Sequence, residues 1–163
     1  MDDADDRAYA RAPELEDVVG LCRELNAHGA RYVLIGGFAV VLHGFLRTTK
    51  DVDLLVDDSE GNLRAIKRAM ASLPDNAAAE LRDDDVQHYG VVRVADEFVV
   101  DLLGRACGLS YREAEASGID WIDVEGVKIP TANKSFLIRT KDTVRDHDKV
   151  DVSYLRMRLE RDG

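Results

Sequence analysis

The sequence predicts an α+β fold, a small twisted mixed β-sheet flanked by helices, on three observations. An apolar run, RYVLI, ends in Gly36-Gly37; a second run, DVDLLV, opens with aspartates one residue apart; a third, FVVDLLG, holds a lone acid. Strand-like runs of period two separated by stretches of helical period are the pattern of a sheet packed against helices.

Residues 1–12 read as a solvated acidic lead-in, and residues 13–160 as a single domain, for which 163 residues and 45% hydrophobic content suffice. Leu15, Val18, Val19, Cys22 and Leu25 recur at helical spacing between Pro13 and Gly29, which predicts a helix over 13–28. A strand over 31–35 follows, and the glycine pair ends it and begins a short helix through His43, stopped by Gly44. Residues 51–56 read as a strand with one polar face. Asp58-Ser59 caps a helix carrying Leu63, Ile66, Met70 and Leu73, and Pro74 breaks it. PDNAAAELRDDD is a surface connection. Residues 87–94 and 97–103 predict an antiparallel pair joined at Ala95-Asp96, SYREAEASG a short helix, and IDWIDVEGVKI two strands around Glu125-Gly126. Residues 133–160 predict two closing helices interrupted between Arg139 and His147.

A net charge of −10 argues against affinity for nucleic acid through a broad basic surface, while small anionic ligands or a local basic patch stay open. The two cysteines, Cys22 and Cys107, lack metal-ligand spacing and read as reduced thiols of a cytoplasmic protein. The acidic start is not a secretory signal, and no apolar run reaches bilayer length. Neither GxGxxG nor GxxxxGK[ST] is present, which excludes a doubly wound nucleotide fold.

In a strand, residues two apart share a face, so Asp51 and Asp53 present their carboxylates together. Such like charges repel and require something positive; Arg47 and Lys50 are nearby counterions, and a solvated edge strand is the plain alternative. Asp101 interrupts an apolar strand able to lie beside them. Three converging carboxylates supply the hard oxygen ligands of Mg2+ or Mn2+ and suit phosphoryl or nucleotidyl transfer. Ions of a two-metal clamp sit about 3.5–4 Å apart, so the mechanism requires Asp101 within roughly 8 Å of the pair. Gly36 and Gly37 let backbone N–H groups approach phosphate, although many tight turns need glycines. His28, His43, His88 and His147 lack metal spacing, and His43 reads as a structural contact. Tyr89 and Trp121 are base-stacking candidates, with the core as their commoner place.

Together these residues resemble the nucleotidyltransferase superfamily that includes DNA polymerase beta, in particular its small bacterial members: minimal, aminoglycoside and lincosamide nucleotidyltransferases and AbiEii-type toxins. Gly36-Gly37 matches the glycine element, Asp51-Val52-Asp53-Leu54 the paired acids, and Asp101 the third acid. His43, Gly44, Arg47, Thr49, Asp51 and Asp53 form the more specific HG…R.T.D.D pattern. A late K…R…KxxD-like segment is present as Lys141, Arg145, Lys149 and Asp151 at spacings of four, four and two.

The resemblance implies that Asp51, Asp53 and Asp101 bind magnesium and catalyse, that Gly36 and Gly37 hold the outer phosphates, and that Lys141 contacts the triphosphate. The cations just before the acids are Arg47, a phosphate contact or counterion, and Lys50. Arg145 or Lys149 is left to pair with Asp151 or another acid. The reaction implied moves a nucleoside monophosphate from a nucleoside triphosphate to an acceptor hydroxyl of a small molecule, protein or RNA end, with release of pyrophosphate. The alternative is a catalytically inactive member that uses the fold for interaction, as a toxin–antitoxin component. A homodimer or a small helical protein partner accompanies either reading, and a different fold with an acidic structural face is the third.

Overall fold

In the computed structural model, which describes residues 10–141 and 145–162, one six-stranded mixed sheet organises the chain. Most of the lead-in, residues 1–9, lies outside the described residues. The elements are α1 (Leu15–Ala27), β1 (Tyr32–Ile35), α2 (Gly36–Leu42), β2 (Asp51–Val56) and α3 (Glu60–Met70). A 3-10 turn (Ala77–Glu80), α4 (Asp85–Tyr89), β3 (Val91–Ala95) and β4 (Val99–Leu103) follow. After β5 (Arg105–Ala106) and β6 (Leu109–Ser110) come α5 (Tyr111–Ser117), β7 (Ile119–Val124), β8 (Val127–Ala132), α6 (Lys134–Thr140) and α7 (Asp146–Asp162).

The sheet order is β3-β4-β2-β1-β8-β7. β1 is buried along its whole length because β2 pairs with it on one side, antiparallel, and β8 on the other, parallel. β2 runs parallel to β4, with Asp53 opposite Asp101, and β4 antiparallel to β3, with Asp101 opposite Arg93. On β2, Val52 and Leu54 are fully buried while Asp51 and Asp53 point to the other face. α1 and α3 supply Val18, Cys22, Leu25, Leu63, Ile66 and Met70 to the core shared with the sheet.

Local chemistry explains the boundaries. Glu14 and Asp17 form a reciprocal capping box at α1, and the Ser59 hydroxyl accepts from Asn62 N–H at 3.3 Å to cap α3. Glu125 and Gly126 both have positive φ, the requirement of the two-residue turn joining β7 to β8.

Two expectations are corrected. The strand predicted from residue 87 begins only at Val91: Asp85–Tyr89 form a short helix with Val86 buried, and Gly90, at φ +77°, turns the chain into β3. Its turn with β4 spans Asp96 to Phe98 rather than a join at Ala95-Asp96. Asp96 is buried there because its carboxylate accepts from Asp75, Ala77 and Glu97 N–H at 2.8–3.0 Å, fixing the connection after α3. Asp96→Ala should leave those donors without that acceptor and destabilise the protein by about 2–3 kcal/mol in urea unfolding, with the m-value unchanged.

Candidate functional site

The strand register brings Asp51, Asp53 and Asp101 onto one face. Asp53 and Asp101 are directly paired on neighbouring strands, which lie about 4.8 Å apart in any sheet. Burial, then the charges of Asp101 and Asp51, push the Asp53 carboxyl up to about 7, while the Lys141 ammonium works in the opposite direction.

Gly36 stands directly against this acid. It has φ +71°, and a Cβ there would lie 2.2 Å from Asp53 Oδ2. A Cβ on Gly37 would lie 2.7 Å from Thr49 Oγ1, whose hydroxyl donates to the Asp51 carbonyl at 3.1 Å. Gly36 is therefore required by the close approach of the first helix turn to Asp53, and Gly37 by its approach to Thr49 just before β2.

The positive charge that the acids require comes from a residue the sequence reading did not single out. Arg93 donates Nε to Asp101 Oδ1 at 2.8 Å and Nη2 to Asp101 Oδ2 at 3.0 Å, and Nη2 lies 3.6 Å from Asp51 Oδ2. Its signal was a lone cation in the apolar strand VVRVA, mirrored across the hairpin by the lone acid of VVDLL.

Arg47 and Lys141 belong to a second charge cluster. Asp151 is 1% exposed and pairs with Arg47 and, at 3.0 Å, with Lys141 Nζ. Asp148, equally enclosed, accepts from Arg145 Nε at 2.7 Å, with Lys141 Nζ at 3.5 Å. Arg145 thus pairs with Asp148, the other acid of the cluster, and Lys149 is exposed. Lys141 follows the end of α6 and Arg145 precedes α7, so the two do not share a helix face.

Both clusters line one cavity of about 660 Å³, whose wall includes Gly36, Gly37, Arg47, Lys50, Asp51, Asp53, Arg93, Arg105, Lys141, Arg145 and Asp148. In a chain of charge −10 this is a local concentration of cations, the patch left open by composition. The β5–β6 hairpin, not foreseen from sequence, contributes Arg105, Ala106 and exposed Cys107 to the wall. Tyr89 and Trp121 are exposed, contrary to their expected core placement, and neither lines the cavity. His43 is buried, with Nε2 2.8 Å from the Ala132 carbonyl oxygen, and ties the end of α2 to β8.

Carboxylates are the oxygen donors that hard divalent cations prefer, and here three of them share one sheet face closely enough to push the Asp53 carboxyl up to about 7. Among the described residues no group of three or more His, Cys, Asp or Glu side chains is arranged so as to hold a metal ion.

Residues 21–153 match the family model described as nucleotidyl transferase AbiEii toxin, Type IV TA system. The chain belongs to the AbiEii-type nucleotidyltransferase family. The fold of this AbiEii-family chain is similar to the crystal structure of a candidate nucleotidyltransferase from Thermotoga maritima, with a TM-score of 0.55, 14% identity, and 90% and 92% of the two chains covered. That likeness is one of fold, the polymerase beta-like nucleotidyltransferase fold. Among curated proteins none matches the chain. No helix among the described residues is long and apolar enough to cross a membrane.

The glycine and carboxylate geometry has two measurable consequences. Gly36→Ala should cost about 2–4 kcal/mol in thermal or urea unfolding, because backbone strain adds to the clash with Asp53; Gly126→Ala, also at positive φ but with open space around it, should cost only about 1 kcal/mol. Asp53 has a folded pKa raised above its unfolded value, so the stability this group contributes is present below about pH 4 and lost as pH rises through about 7. Asp53→Asn should therefore stabilise the metal-free protein at pH 8 by about 2 kcal/mol, roughly 4–8 °C in melting temperature, and the gain should vanish near pH 4.

Proposed function

We propose that the chain is a divalent-metal-dependent nucleotidyltransferase, moving a nucleoside monophosphate from a nucleoside triphosphate to an acceptor hydroxyl. The observation that carries this reading is the convergence of Asp51, Asp53 and Asp101 on one sheet face, beneath a glycine turn and inside a cation-lined cavity. Family membership supports the same reaction class.

In this proposal Asp51, Asp53 and Asp101 hold Mg2+ or Mn2+, and Asp101 also receives the acceptor hydroxyl proton. A bound divalent cation would polarise the phosphoryl oxygens and neutralise charge developing on the leaving group. Gly36 and Gly37 present backbone N–H groups to the outer phosphates, and Lys50, Arg47 and Lys141 form the cationic wall facing the triphosphate. The acceptor oxygen bonds to the α-phosphorus as the bond from that phosphorus to the β-phosphate oxygen breaks, and pyrophosphate leaves. The chain's contribution is positioning and fixed charge, without a covalent enzyme intermediate.

A second reading, a catalytically inactive member acting through protein contacts, is favoured by one observation: Arg93 already compensates Asp51 and Asp101. The family description names a toxin–antitoxin system, which fits a protein partner under either reading.

Incubation with each labelled nucleoside triphosphate, Mg2+ or Mn2+, and a broad acceptor set should give metal-dependent label transfer, reduced on the order of 10³-fold or more by Asp53→Ala. Triphosphate binding with no transfer to any acceptor, the protein included, would favour the inactive reading. Cavity occupancy has an independent readout in thiol alkylation. Burial pushes the Cys22 thiol up to about 11, so exposed Cys107 should react first and be slowed by metal with triphosphate.

A further inference from the structure

Arg93 occupies an unusual place for a strand arginine. It sits opposite Asp101 on β3, with only 17% of its side chain exposed, and its fork takes both oxygens of Asp101 while reaching Asp51. A guanidinium is planar, permanently charged and strongly suited to bidentate pairing with a carboxylate. The same carboxylate oxygens are those a divalent cation would take in the proposed reaction, and the same negative charge is what would attract it.

We propose that Arg93 is an internal cationic latch on the acidic site: its guanidinium and the divalent ion compete for Asp51 and Asp101, and metal binding moves Arg93 off this pair. The inference rests on the nucleotidyltransferase reading and adds a control on that site. The latch keeps two of the three carboxylates compensated while no metal is bound, which removes part of the like-charge repulsion that the strand register imposes. Arg93 also lines the cavity, so a guanidinium released from the acids stays beside the wall where the triphosphate would bind and can pair with phosphate oxygen. Metal and triphosphate entering together then exchange one set of charge-assisted hydrogen bonds for another, so each should strengthen the binding of the other.

The test is Mn2+ binding to the full chain by titration calorimetry, for the wild type, Arg93→Gln and Arg93→Lys. Release of the competing fork predicts Mn2+ affinity about tenfold or more higher in Arg93→Gln, with a smaller gain in Arg93→Lys, which keeps the charge but loses the bidentate geometry. Affinity unchanged or weakened in Arg93→Gln, with the wild type binding Mn2+, would overturn the latch and leave the nucleotidyltransferase reading standing. Failure of every form to bind Mn2+, with or without triphosphate, would overturn both. Should Arg93→Gln not fold, the wild type still decides: the Arg93 Nε–H resonance should shift as Mg2+ is titrated in, and Mg2+ binding that leaves it unmoved would sink the proposal.

Discussion

The structure depends on how it compensates carboxylates placed inside it. Parallel pairing of β2 with β4 sets Asp53 against Asp101, and the period of the strand adds Asp51 to the same face. No choice of rotamer removes that crowding, because it is fixed by backbone register. The surroundings respond in two ways: Arg93 on β3 pairs with Asp101 and reaches across to Asp51, offsetting part of their charge, and the Asp53 carboxyl is pushed up to about 7. An acid face of this kind is poor design for stability alone, since well-packed apolar residues would fill a strand at less cost. Its presence in the middle of a sheet is an argument for chemistry.

The second charge cluster has a different task. Arg47 and Asp151 are 104 residues apart in sequence, and their ion pair, with Lys141 beside it, joins the segment between α2 and β2 to the start of α7. Tyr154 extends the same junction, donating its hydroxyl to the His43 carbonyl at 2.9 Å and stacking on Phe45. Buried ion pairs contribute little net stability compared with apolar packing, but removal of one partner strands a charge and is costly. The cluster therefore acts as a positional lock. It fixes the approach to Asp51 and holds Lys141 and Arg145 on the cavity wall.

Most of this was legible in the sequence where a residue type conflicted with its surroundings. Acids in apolar strands gave the site face, and the glycine pair gave the strand-to-helix turn, because such conflicts persist only where geometry enforces them. What stayed hidden depended on register. A hairpin joined at Ala95-Asp96 does not place Arg93 opposite Asp101; the longer turn does, and its length is decided by buried Asp96 gathering backbone donors from the connection after α3. The α4 helix is not apparent in the sequence because QHYGVVRV, residues 87–94, reads as one strand until Gly90, at positive φ, divides it. Pairing in the late basic segment was hidden for a related reason: the predicted interruption between the closing helices is where Lys141 and Arg145 lie, and sequence spacing does not say which acid each meets, whereas the fold buries Lys141 against Asp148 and Asp151.

The glycine pair joins these observations. Gly36 and Gly37 have a sufficient steric cause in Asp53 and Thr49, independent of any ligand: side chains at either position would collide with the β2 acid or with the threonine that steadies its entry. Glycine turn and paired aspartates are thus one packed unit. The same contact has a consequence for ligands. By bringing the start of α2 against the acids without a side chain between them, it leaves backbone and carboxylates on one cavity wall, with Arg47, Lys50 and Lys141 also lining the cavity. A ligand suited to that wall must present anionic oxygens to cations and backbone donors and, through a cation, to carboxylates as well. A metal-bound polyphosphate meets both demands, whereas a simple anion meets only the first.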